Sequence, residues 1–121
     1  MLPALAIAGP SRALGKTPVI DDQRLAAAVL DVFAQPDTAR LMGSTYLKQR
    51  PHEASFSNLM AHLKADLVLL DWYRGGAGKP ELHTRLQARA AIDYNNGEGV
   101  EVAGCYLSVT ELRVFALSTF V

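Results

Sequence analysis

Between Leu25 and Phe33 the apolar positions fall at Leu25, Ala28, Val29, Val32 and Phe33, the i, i+3, i+4, i+7, i+8 spacing of one helical stripe. Asp21 and Asp22 stand just ahead of it, where carboxylates meet the free amides and the positive end of a helix. Pro36 closes the segment, because a proline inside a helix lacks a donor and clashes with the preceding turn. The stretch PDTARLMGSTYLKQR, Pro36 to Arg50, predicts a second helix that Pro51 terminates. From about Ser55 the pattern predicts one long helix. Its buried side is Leu59, Leu63, Leu67, Leu70 and Trp72, widened by Met60 and Val68. The glycines of RGGAGK, Arg74 to Lys79, stop it. Pro80 then suits a first helical position, Glu81 adds early negative charge, and Leu82, Leu86 and Ala90 form the next stripe until YNNGEG breaks it.

After Gly99 the period changes. In VEVAGCYL, Val100 and Val102 alternate with Glu101 and Gly104 sits mid-run, which predicts two short strands about a tight turn. Ser108-Val109-Thr110-Glu111 has the spacing of a capping box, in which the serine oxygen and the glutamate each satisfy a free amide. A last helix follows, with Leu112, Phe115, Ala116, Thr119 and Phe120 on one face. The expected architecture is mainly α: a small bundle of about five helices with a short β-hairpin before the last one.

Residues 1–20 carry Pro3, Pro10 and Pro18 and predict a non-helical lead, either an extended N-terminal arm or the remnant of a signal peptide. The apolar run with Ala-x-Ala spacing in ALAIAGPSRALG fits the second alternative, and packing of an apolar arm on the domain fits the first. Residues 21–121 then form a single helical domain, since 121 residues suffice for one core and not two. No apolar run approaches the roughly 20 residues that span a bilayer, so no membrane span is expected.

With 12 basic and 12 acidic residues, the basic ones dispersed singly among acids, the chain lacks the basic face that displaces counterions from phosphates; a nucleic-acid role is excluded. Cys105 is the one cysteine, so no internal disulfide forms. It is expected to be a partly buried, inert thiol. Gly9 and Gly15-Lys16-Thr17 imitate a phosphate loop, but five residues separate the glycines, Pro10 offers no amide and Pro18 stands where the anion-binding helix should begin. RGGAGK reads as a helix–helix connector. Asp93, Asn95 and Gly97 open like a calcium loop, with the glycine one position early and Gly104 where the bidentate glutamate belongs. His62 and Asp66 share a helix face at i, i+4, without a second pair to complete a metal site. Neither a catalytic residue nor a cofactor or metal ligand is expected. What points outward is aromatic: Trp72 and Tyr73 beside a glycine loop, and Tyr94 and Tyr106 at element ends, are the candidate protein-binding residues.

The stretch IDYNNGEGVEVAGCYLSVTELRVFAL resembles a pattern found in small bacterial proteins with twin-arginine export signals. The matching positions are Ile92, Asp93, Tyr94, Gly97, Val100, Val102, Gly104, Leu107, Ser108, Thr110, Glu111 and Arg113. A paired-arginine segment is lacking, and Cys105-Tyr106 stand where the pattern places a tryptophan nearby. The resemblance implies a non-catalytic accessory or escort subunit, periplasmic, whose partner is a larger exported oxidoreductase. The alternative is a cytoplasmic helical interaction protein or homodimer using the same surface.

Overall fold

The computed structural model describes residues 21–33 and 35–121. The readings made for residues 1–20, namely arm, signal remnant and imitation phosphate loop, lie outside the described residues. Among those described are six α-helices, two single-turn 3-10 segments and one hairpin. The helices are α1 (Asp22–Val32), α2 (Pro36–Gln49), α3 (Phe56–Asp66), α4 (Leu69–Arg74), α5 (Lys79–Asn95) and α6 (Val109–Ala116). The hairpin strands are β1 (Gly99–Val102) and β2 (Cys105–Ser108); the 3-10 turns are Pro51–Glu53 and Leu117–Thr119. The fold is the expected small, mainly α bundle with its hairpin just before the last helix. No helix is long and apolar enough to cross a membrane.

The local signals operate as their chemistry requires. The Asp21 carboxylate accepts from the Arg24 amide at 2.8 Å and caps α1. Ser108 Oγ accepts from the Glu111 amide at 3.1 Å while Glu111 Oε1 accepts from the Ser108 amide at 3.0 Å, completing the capping box of α6. The strands pair antiparallel with Val102 opposite Cys105 and Glu101 opposite Tyr106. Ala103 and Gly104 take φ of 50° and 80°, the left-handed pair that a two-residue hairpin turn needs to match strand twist.

Three expectations are corrected. The helix from Ser55 is two helices, because Val68 adopts φ 49°, ψ 53° and breaks the ladder between α3 and α4. The break shifts the helical phase: Leu69 is buried in place of Leu70, and Val68 is exposed instead of widening the core. Arg85 holds the joint from α5, its Nη1 donating to the Leu67 and Val68 carbonyls at 3.1 and 2.9 Å and its Nη2 to Asp71 at 3.0 Å. The Leu67 carbonyl lies at the C-terminus of α3, where helical partners run out, whereas the Val68 carbonyl also accepts from the Trp72 amide at 3.1 Å as α4 begins; one guanidinium satisfies both joint carbonyls at once. The predicted count of about five helices becomes six for this reason.

The third correction concerns α6. It does not offer one face; Val109, Thr110, Leu112, Val114 and Ala116 are all buried, whereas Thr119 and Phe120 are exposed. A helix buried over most of its circumference belongs in the middle of a fold, and α6, with Glu111, Arg113 and Phe115 half-buried, packs against α1, α2, α3 and α5. Its crossing with α2 is backbone on backbone: a Cβ added at Gly43 would come within 2.5 Å of the Phe115 carbonyl oxygen and 2.6 Å of Ala116 Cα. Leu25, Tyr46, Leu59, Leu63, Leu82 and Leu112 are fully buried around this axis.

Candidate functional site

The four aromatic candidates separate into two pairs. Trp72 is a core residue, 5% exposed, with Nε1 donating to the Gly78 carbonyl at 3.1 Å and so tying the glycine connector to α4. Tyr73 is half-buried and packs on the same core. The expectation that these two present surface is therefore corrected for Trp72: its indole is consumed by packing. Tyr94 and Tyr106 are exposed, at 40% and 61%, and stack on each other with ring centroids 5.7 Å apart and planes 27° apart.

Their placement follows from hairpin register. Glu101 faces Tyr106 across the strands, so both side chains leave the same side of the hairpin, and Gly99 shares that side two residues away. The space a Cβ would need at Gly99 is filled by the Tyr106 ring, so glycine is what admits the ring there. Tyr94, near the end of α5, donates its hydroxyl to Glu111 Oε1 at 3.0 Å. Burial, with the Glu111 carboxylate beside it, pushes the Tyr94 phenol above its ordinary value. The capping box thus fixes the helix start and the tyrosine together.

This face carries Glu101 and Glu111. Between Ala90 and Leu112 the chain has no lysine or arginine, an interval hidden within an overall charge of zero; of its other acids, Asp93 pairs with Arg89 and Glu98 lines a polar cleft. Asp93 is buried, but Glu101 is exposed and Glu111 half-exposed. The ion pairs among the described residues use other carboxylates and leave these two without a lysine or arginine partner. Cys105, at the start of β2, is exposed. The expected partial burial is corrected, because Cys105 sits at the turn end of the hairpin, paired with Val102 and next to the exposed Ala103 and Gly104.

Behind the hairpin runs a polar network that sequence reasoning missed. Glu53, 4% exposed in the 3-10 turn after α2, accepts from the Tyr46 hydroxyl at 2.8 Å and from Arg113 Nε at 3.0 Å. Burial and the Glu53 carboxylate push Tyr46 up to about 12. Burial alone would raise Glu53, yet the Arg113 and Tyr46 hydrogen bonds outweigh it and hold the carboxyl below its ordinary value. Arg113 continues to Asp66 at 3.7 Å, Asp66 to Arg89 at 3.9 Å, and Arg89 to the buried Asp93 at 3.2 Å. Asp93 ends the chain by accepting from the Thr110 amide at 2.9 Å. One available signal was the i, i+4 spacing of Arg89 and Asp93. Glu53 gave none, since it lies in a short joint, RPHEAS, between helices.

The network backs a polar cleft of about 410 Å³ lined by Arg50, His62, Asp66, Arg89, Glu98 and Arg113 among others. His62 and Asp66 do share it, as their spacing predicted. Cys105 does not line it, so thiol, imidazole and carboxylate do not converge. Asp66 lies between two guanidiniums, Arg113 at 3.7 Å and Arg89 at 3.9 Å. His83 packs edge-on against Phe33 at 5.0 Å, and His52 is exposed 3.9 Å from Glu53. No group of three or more histidine, cysteine, aspartate or glutamate side chains among the described residues could hold a metal ion. Comparison of the chain with protein-family models, with curated proteins and with solved structures finds no match.

Proposed function

We propose that this protein is a non-catalytic accessory or escort subunit that works by protein–protein binding through the Tyr94–Tyr106 face, and that its partner is a larger, cofactor-bearing exported oxidoreductase in the periplasm. The observation that carries the binding role is that two large aromatic rings are held in solvent by specific contacts: one on a glycine, the other through a hydroxyl bound to a helix-capping glutamate. Rigid aromatic side chains exposed side by side supply contact area at low entropic cost, which is why such residues dominate binding energy at interfaces. The likeness of residues 92–113 to small exported accessory proteins supports the choice of partner and compartment.

The test is purification of the tagged full chain from its native host. A co-eluting larger chain with the absorbance of a bound redox cofactor is expected. Its recovery should fall strongly for the double variant Tyr94→Ala, Tyr106→Ala, whose helical content and melting temperature should stay near wild type because neither ring is in the core. Recovery of wild type as a lone monomer defeats the proposal. The alternative, a cytoplasmic homodimer, is favoured by a second exposed apolar site, where Val68 and Ile92 (54% and 46% exposed) flank a shallow groove of about 360 Å³ between α4 and α5. It predicts a dimer by light scattering with no second chain.

A further inference from the structure

We infer that the Tyr94–Tyr106 face is built for a partner segment that presents arginine or lysine. The inference rests on the protein-binding reading of that face and adds the chemistry of what binds there. Aromatic exposure alone does not choose a partner, but charge does. Glu101 stands directly across the hairpin from Tyr106, and Glu111 touches Tyr94, so each ring has a carboxylate at its side. Neither carboxylate is neutralised by a lysine or arginine of the described residues, and residues 90–112 contain no basic residue.

A guanidinium or ammonium laid over the Tyr106 ring meets the negative face of the π-system and, beside it, the Glu101 carboxylate. Both attractions act on the same cation, whereas an acidic or purely apolar segment would leave Glu101 to be desolvated without a partner. The rings are fixed before binding, Tyr106 over Gly99 and Tyr94 by Glu111, so little side-chain freedom is lost on docking. This distinguishes the face from the polar cleft, where Arg89 and Arg113 already pair with Asp66.

The probe is a labelled peptide of alternating arginine and alanine, titrated into the purified full chain and followed by fluorescence anisotropy and amide chemical shifts. Saturable binding is expected, with the largest shifts at Tyr94, Glu101 and Tyr106. Affinity should fall about tenfold between low and high salt, because exposed charge pairs are screened. Tyr106→Ala and Glu101→Gln should each weaken binding about three- to fivefold, the scale of one exposed cation–π contact or ion pair. Asp37→Asn, an exposed acid on α2 away from the face, should leave it unchanged. The same peptide with glutamate in place of arginine should not bind. Equal binding of the two peptides, an equal loss in Asp37→Asn, or no binding overturns the inference.

Its failure is separable from that of the proposed function. A partner that co-purifies through the tyrosines while the arginine peptide fails removes the basic segment and keeps the face. Peptide binding at Tyr106 without any co-purifying oxidoreductase keeps the chemistry and removes the accessory role.

Discussion

Glu53 shows how one buried charge is kept. With 4% of its surface exposed, it is stabilised by Arg113 and Tyr46, and neither partner can be removed without leaving the other unsatisfied. Breaking such a pair typically costs about 3–5 kcal/mol, more than the pair contributes relative to an apolar replacement. Glu53→Gln should therefore destabilise by about 3 kcal/mol, and Tyr46→Phe, which removes one hydrogen bond and no charge, by nearer 1 kcal/mol. Urea unfolding measures both, and equal losses would contradict the ranking. The pH dependence follows in sign. Glu53 titrates below its ordinary value of 4.5 in the folded chain, so its contribution is present above that pH and is lost as pH falls through the folded value. Tyr46 is raised from 10.0 to about 12, so the stability owed to its protonated form is present below pH 10 and is lost as pH rises toward 12. Stability should thus have two edges, and Tyr46→Phe should weaken the alkaline one, to which the raised Tyr94 phenol also contributes.

At the level of elements, the legible parts were those set by local chemistry. The Asp21 cap, the Ser108–Glu111 box, the glycine turn and the prolines at helix boundaries all act within a few residues, so their spacing is visible in the chain. The break at Val68 was not legible, because a β-branched residue is a poor signal for a left-handed joint; what holds it is Arg85, 17 residues further along the chain on α5. The central position of α6 was also hidden: its length suggested a terminal helix with one apolar face, and only the surrounding helices give it a second. Of the candidate site, exposure of Tyr94 and Tyr106 was legible as aromatics at element ends. Trp72 had the same signature and is buried, since only the fold decides which end faces the core. Gly43 offers a test at this scale. Alanine normally gains up to about 1 kcal/mol over glycine inside a helix, but here the added methyl meets the α6 backbone at 2.5 Å. The clash should win, with Gly43→Ala destabilising by about 3 kcal/mol in thermal or urea unfolding; a stabilised variant would show that α2 and α6 can separate freely.

For the whole molecule, the Glu53–Arg113–Asp66–Arg89–Asp93 chain ties three helices and a connecting turn into one unit, and the hairpin carries the acidic aromatic face on that base. Net stability of a domain is only about 5–15 kcal/mol, so single positions weigh heavily. Val68 is such a position. A valine held at φ 49° bears about 1–2 kcal/mol of steric strain, and with more than half its surface in solvent it recovers little by burial. Asparagine adopts that geometry readily. Val68→Asn should raise the melting temperature by about 4 °C, and an unchanged or lower value would mean the joint is relaxed as it stands. The bend between the third and fourth helices therefore sets a ceiling on heat tolerance that one codon can lift.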